Sequence, residues 1–294
     1  MKKIFSDRKA IGLFVLPAFL LYAVFGLMPI AYNCYISLFK TNLLEPGTFV
    51  GLRNYYNLLQ DSIFIKALKN NLLMVIGSLV AHLLIALLFA VLLSKKTTRG
   101  SRFYQIVFFF PSVICGAAVG LLWKFVYHQE FGLLNNLLEV IGLEKYTKAW
   151  LGDKNAALLC IIVVVMWQYI GYHMVIQIAA IKNIPGDVLE AAKIDGAGSW
   201  TLFRTITFPL IKNILSIDAV LIITGSLKYY DLVAIMTNGG PNHATELMST
   251  YMYYQGFRTL KYGYSAAIGV VLLVLCALSV FISNRVFKTE NIEY

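Results

Sequence analysis

Residues 185–198 read Pro185-Gly186-Asp187-Val188-Leu189-Glu190-Ala191-Ala192-Lys193-Ile194-Asp195-Gly196-Ala197-Gly198, and the stretch runs on to Phe208-Pro209. It is the longest polar interruption between strongly apolar segments that still reads as ordered. Pro185 and Gly186 break the helix before it. Asp187 can cap a new helix, since its carboxylate can accept from the unpaired N–H groups of a first turn. Val188, Leu189, Ala192 and Asp195 then recur at helical spacing. Gly196 and Gly198 end that helix, because glycine enters the left-handed cap conformation without a Cβ clash. Ser199 can cap a second short helix over 200–207, and Pro209 fits the first turn of a long apolar helix beyond it. The expected product is a short helix, a glycine elbow and a second helix, lying between two membrane spans.

The spans follow from composition. Hydrophobic residues make up 59% of the 294 and charged residues 14%, where a soluble domain carries about 25% charged. The apolar residues fall in six runs, about 11–32, 71–93, 103–126, 156–181, 209–230 and 264–284. Runs near this length match the thickness of a bilayer core. Backbone groups in lipid must be satisfied within their own segment, so each run is expected to be a helix. The first run has a basic start but no small-residue cleavage site after it, so it reads as a retained span. The chain divides into a lead over 1–10, a first span with an outer segment over 11–70, a core of five spans over 71–284, and a tail over 285–294.

The net charge of +10 would suit nucleic acid, but its placement points to membrane topology. Lys2, Lys3, Arg8 and Lys9 precede the first run, and Lys95, Lys96, Arg99 and Arg102 crowd the link between the second and third. Lys182, Lys193, Arg204 and Lys212 surround the 185–209 stretch, and Arg285 and Lys288 follow the last run. Six alternating spans put all four segments on one side, and the positive-inside rule makes that side cytoplasmic. Cys34, Cys115, Cys160 and Cys276 lie in or beside apolar runs without pairing or metal spacing, and read as buried small apolar residues.

Glu190-Ala191-Ala192, Asp195-Gly196-Ala197 and the Phe208-Pro209 exit resemble the EAA loop of permease subunits of ATP-binding cassette (ABC) importers. Thr237-Asn238-Gly239-Gly240-Pro241 resembles the T-x-G-G-P turn of the carbohydrate permeases in that family, of the maltose-permease type. Gly51-Leu52-Arg53-Asn54-Tyr55 resembles the family's G-x-x-N-[FY] segment. The resemblance implies an all-α membrane protein, with six transmembrane helices and a cytoplasmic coupling helix, the type I ABC importer permease fold. It implies a permease in a prokaryotic cell membrane with both termini cytoplasmic. That permease would translocate a sugar, favoured as an oligosaccharide, delivered by an extracytoplasmic solute-binding protein. Its partners would be an ABC ATPase dimer, a second and different permease subunit, the binding protein and membrane lipid, with no nucleic acid. ATP and Mg would be held by the ATPase, with no cofactor or metal on this chain and no catalysis by it. Asp187, Glu190, Ala191, Ala192, Asp195 and Gly196 would couple to the ATPase. Gly171, Met174, Ser226, Tyr229 and Tyr230 would border the substrate path, matched by offset from the T-x-G-G-P turn and by place on the fourth span.

Other classes find less support in the residues. There is no G-x-x-x-x-G-K-[ST] loop, H-E-x-x-H, C-x-x-C or nucleophile elbow, and His82, His128, His173 and His243 show no ligand spacing. An integral membrane transferase would want clustered acidic or His residues near one face. A secondary transporter would want related halves and intramembrane coupling charges, for which Asp218 is the candidate. A glycerol-phosphate or polyol importer would want a basic cluster near the cavity. His82, in the second run, reads as a packed residue bonded to a neighbouring helix or as a functional group. Met166-Trp167-Gln168-Tyr169-Ile170-Gly171-Tyr172-His173-Met174 is unusually polar and aromatic for lipid, and such residues face a bundle interior or a wet cavity.

The charge pattern gives a direct test. In a background lacking the four native cysteines, single substitutions Ser6→Cys, Asn136→Cys and Asn291→Cys should label from inside, outside and inside the cell, respectively. Labelling of Asn136→Cys from the inside alone would reverse the topology.

Overall fold

The computed structural model describes residues 8–42, 47–95 and 98–286. The expected lead over 1–7, Lys96 and the end of the tail over 287–294 lie outside the described residues. Among the described residues, five helices are long and apolar enough to cross a membrane: Gly12–Ile36, Ser62–Ser94, Ala157–Lys182, Ser199–Met236 and Tyr262–Ser283. The expected third span, 103–126, is not one rod. Ser101–Val113 and Gly116–Val126 meet at 98°, because Ile114 and Cys115 are extended. Pro111 removes one N–H from the last turn before the break, and the helix ends two residues later, at Val113. The second helix also begins earlier than its apolar run, at Ser62, so the outer segment expected over 40–69 ends about two turns sooner.

The chain forms two compact units. One comprises residues 1–61 and 252–271. In it a two-residue antiparallel ladder pairs Phe39 with Phe49 and Lys40 with Thr48, a minor addition to an otherwise helical protein. Asn54 explains the G-x-x-N-[FY] segment. Its Nδ2 donates to Ser37 O at 2.7 Å and Phe39 O at 3.0 Å, tying the Arg53–Gln60 helix to the start of the ladder. Ser37 Oγ and Tyr55 Oη are 2.6 Å apart, adding a second bond at the same place.

The other unit comprises residues 62–251 and 272–294. Its centre is Ala157–Lys182, half buried across its apolar window. That helix packs against Ala86–Ser94 and Ser101–Val113. Met174 is fully buried with Ala86, Ala90 and Ile178. A larger cluster gathers Met74, Val119, Ile161, Val164, Leu232 and Leu247.

Two of the prolines inside the spans follow widened turns. Residues 23–27 and 203–207 are π-helical, and each segment ends two residues before a proline, Pro29 and Pro209. The N–H of Met28 reaches back to Ala23 O and that of Phe208 to Phe203 O. The wider turn gives the ring room where an α-turn would bring a carbonyl against it. The first helix therefore continues past Pro29 to Ile36, where the two prolines of the apolar run suggest a kink or an early end. The helix expected over 200–207 likewise runs straight into the fifth span.

The close approach of Ala157–Lys182 and Ser101–Val113 depends on Gly171. A Cβ there would lie 1.9 Å from Phe108 O and 2.6 Å from Phe109 N, both backbone atoms that cannot rotate away. Gly171→Ala should therefore separate the two helices, at about 1–3 kcal/mol for overpacking. The thermal midpoint of the purified protein should fall measurably. An unchanged midpoint would show that the helices part freely.

Candidate functional site

Two features stand out in the larger unit: a short helix seated between two spans, and a polar seam inside the bundle.

The short helix is Gly186–Ile194. Its N-cap is Pro185 rather than Asp187, and no side chain caps it. Asp187 sits in the first turn, where a carboxylate still opposes the positive end of the helix dipole. The far end forms a Schellman motif. Gly196 is left-handed at φ 83°. Its N–H donates to Lys193 O at 3.1 Å, and the Ala197 N–H donates to Ala192 O at 2.9 Å. Gly198 is extended and is itself the N-cap of the next helix, which places Ser199 inside the first turn instead of capping it.

One face of this helix is held and the other is free. Ala192 and Ile184 are buried and Leu189 is half-buried. Ile184 joins Leu87, Ala180, Ile211 and Leu215 in an apolar cluster against which Leu189 packs. This cluster joins the helix that enters the loop to the helix that leaves it. Asp187, Glu190, Ala191, Asp195 and Gly196 face outward. No ion pair is formed by Asp187, Glu190 or Asp195 among the described residues. Ile194 and Trp200 are 86% and 70% exposed, large apolar surfaces on a loop outside the spans.

The seam begins deeper in the same helices. His173 Nδ1 lies 2.7 Å from Asp218 Oδ1, and Gln177 Nε2 donates to Asp218 Oδ2 at 2.8 Å. His173 and Gln177 are four residues apart on one helix, so both reach one carboxylate. Gln177 Nε2 also donates to His82 O at 2.9 Å. That carbonyl is available because residues 79–85 are π-helical. The Ala86 N–H bonds to Ala81 O, five residues back, where an α-helix would have used His82 O. The His82 and His173 rings stack at 4.9 Å. His82 is thus packed and tied to neighbouring helices. Within the seam His82 Nε2, Gln177 Oε1 and Ser78 Oγ lack a hydrogen-bond partner.

Further along, Gln168 spans two helix breaks. Its Nε2 donates to Ile114 O at 3.3 Å, at the 98° bend, and its Oε1 accepts from Tyr229 Oη at 3.3 Å. Residues 228–230 interrupt the fifth span. Asn71 closes that interruption, with Nδ2 donating to Leu227 O at 3.1 Å and Ser226 O at 3.3 Å. Its Oδ1 accepts from the Met248 N–H at 2.8 Å. Asn70 Nδ2 donates to Ala244 O and Glu246 O, each at 2.9 Å. The Thr237–Pro241 turn is closed by Thr245, whose Oγ1 donates to Gly240 O at 2.7 Å. Buried Glu246 accepts from Thr250 Oγ1 at 2.7 Å and faces His243 Nδ1 at 2.9 Å.

The residues matched to a substrate path do not share one surface within the subunit. Gly171 and Met174 are packed between helices. Ser226 is buried and donates to Ile222 O at 2.8 Å. Tyr229 and Tyr230 are half-buried at the interruption. Ser249 Oγ donates to Tyr229 O. Sequence reading missed Asn70, Asn71 and Gln177, and it could not pair His173 with Asp218. The Asn70-Asn71 doublet at the mouth of an apolar run was the available signal. Asn135, read as a turn residue, is buried and central to its loop. It donates to Gln129 O at 2.8 Å and accepts from Trp150 Nε1 at 2.7 Å.

Long apolar helices, a polar seam threaded through them and a surface helix seated between two spans define a multi-pass membrane transport subunit. Residues 82–289 match the model for the binding-protein-dependent transport system inner membrane component, and the chain belongs to that family. It is 39% identical over 283 residues to the probable ABC transporter permease protein YurN of Bacillus subtilis, covering 96% of this chain and 97% of the relative. It is 37% identical over 280 residues to the diacetylchitobiose uptake system permease protein NgcF of Streptomyces coelicolor, covering 90% and 79%. Its fold superposes with a TM-score of 0.81, at 24% identity, on a chain of a bacterial alginate ABC transporter solved in complex with an alginate pentasaccharide-bound periplasmic protein, covering 98% of each chain. The chain is an ABC importer permease, and permease subunits of this family are not themselves enzymes.

Proposed function

We propose that Gly186–Ile194 is the helix through which this permease engages an ABC ATPase dimer, and that the interrupted fifth span borders the path of a sugar. The observation that carries the first part is the helix's two-sided character. Leu189 packs against the apolar cluster and Ala192 is buried, while Glu190, Asp195 and Ile194 are exposed. Exposed carboxylates beside an exposed apolar group suit a docking contact with a cationic partner. The EAA-type residues Glu190, Ala191 and Ala192 lie in this helix with Asp187 in its first turn, while Asp195 is its C-cap and Gly196 the elbow that follows.

An oligosaccharide is the favoured cargo, in line with the diacetylchitobiose and alginate systems named among the similar proteins. Tyr229 and Tyr230 offer aromatic faces for sugar rings at a point where the helix is open. Ser226 lies one turn deeper, while Gly171 and Met174 would act by setting the helix packing behind this surface. The remaining partners are a second, different permease and an extracytoplasmic binding protein, with ATP and Mg on the ATPase. With the bent 101–126 pair counted as one broken span there are six alternating spans, and the positive-inside bias then supports a cytoplasmic reading for both termini and residues 185–209.

Glu190→Lys should remove the docking charge, and truncating an interfacial pair of this kind costs about 2–5 kcal/mol. At least tenfold less ATPase should co-purify, with normal membrane insertion. Gly196→Asp should do the same through the backbone. A Cβ there meets nothing within 4 Å, so the left-handed elbow itself is strained, by about 1–2 kcal/mol, and a new charge enters the docking face. Normal ATPase retention in both variants would refute the docking role.

Tyr229→Ala should lower sugar uptake while leaving ATPase retention intact. Uptake kinetics equal to wild type in Tyr229→Ala and in Ser226→Leu would remove both from the path.

A further inference from the structure

The seam and the docking helix are physically continuous. Leu215 and Ala180, in the cluster that seats the docking helix, lie three residues from Asp218 and Gln177, respectively. Three residues is about 4.5 Å along a helix, so the polar contacts sit one turn beyond the apolar seat. The two helices they join are the one entering the loop, Ala157–Lys182, and the one leaving it, Ser199–Met236. Gln177 adds the third, Ser62–Ser94, through His82 O.

From this arrangement we infer that His173, Asp218 and Gln177 are positioning residues for coupling: they tie the spans on either side of the docking helix into one body, so that force applied at the loop moves both together. This rests on the docking role proposed for Gly186–Ile194. Apolar contacts alone let helices slide, because each methyl group packs nearly as well one step along. A carboxylate with two fixed donors does not slide. Asp218 is wholly buried, and any displacement would strand it in an apolar setting, where an unpartnered carboxylate is costly. The two donors come from successive turns of one helix, which fixes rotation as well as height. With the carboxylate accepting, Nδ1–H is the donor on His173.

The donor inventory predicts a hierarchy of variants. His173→Asn keeps an N–H donor near the position of Nδ1 and should preserve the tie. His173→Leu and Gln177→Leu each delete a bond to Asp218. Asp218→Leu removes both acceptors and deletes the tie.

The test uses the assembled importer in nanodiscs, with spin labels on Asn155→Cys and Asn238→Cys. These exposed positions lie at the ends of the two spans remote from the docking loop. Double electron–electron resonance is recorded without nucleotide and after trapping with ATP, Mg and vanadate. Wild type and His173→Asn should give the same narrow distance distribution in both states, because the spans move as one. His173→Leu, Gln177→Leu and Asp218→Leu should shift or broaden that distribution on trapping, with ATPase retention unchanged. A nucleotide-dependent distance change in the wild type would overturn the inference, even if every variant failed to fold. So would an unchanged distance in His173→Leu. Loss of the docking reading registers separately, as normal ATPase retention in Glu190→Lys.

Discussion

The structure depends on how backbone groups are satisfied where helices are interrupted among apolar segments. An uninterrupted helix satisfies itself, and a break frees carbonyls that water cannot reach. At the breaks described here, side-chain amides meet those carbonyls. Gln177 takes His82 O beside the widened 79–85 turn, Gln168 takes Ile114 O at the 98° bend, and Asn71 takes Ser226 O and Leu227 O where the fifth span stops. An amide suits this work because it donates and accepts without carrying charge. Asn71 uses both abilities, holding two carbonyls and the Met248 N–H. The breaks are thus fixed features of the fold, each locked to another helix.

Prolines receive a different treatment. At Pro29 and Pro209 the helix widens just ahead of the ring and continues. The chain therefore holds two kinds of irregularity. Widened turns keep a span running, while amide-bound breaks reorient it. The second kind gathers around Tyr229, where the bend at 114–115 and the interruption at 228–230 are bridged by one glutamine. A transport subunit needs such open backbone somewhere, since a continuous helix presents only side chains to a solute.

The Gly186–Ile194 helix illustrates division of labour within nine residues. Its inner face is seated by dispersion and burial against residues of both flanking spans. Its outer face keeps acidic and apolar groups without partners of their own in the described structure. The Schellman elbow at Gly196 stops the helix at a defined residue and turns the chain toward the next span. A longer helix would carry Ile194 and Asp195 off this loop, and a shorter one would lose the seat at Ala192.

Much of this was legible in the sequence. Apolar runs of bilayer length fixed the helical class, because lipid leaves the backbone few alternatives. The spacing of Pro185, Gly196 and Gly198 located the short helix, since glycine and proline act through their own covalent geometry. The EAA and T-x-G-G-P strings placed the chain in its family. What the sequence left open depends on distance between residues far apart in the chain. Asp218 and His173 are 45 positions apart, and Gln177 and His82 are 95. Nothing local distinguishes a paired buried carboxylate from a lone one. The bend at Ile114 was hidden for a related reason: an extended pair among apolar residues is stable only because Gln168 satisfies it from another helix. Local stereochemistry and the solvent therefore set the elements, while the partners of each buried polar group, and with them the rigid and open parts of the bundle, were decided by tertiary packing alone.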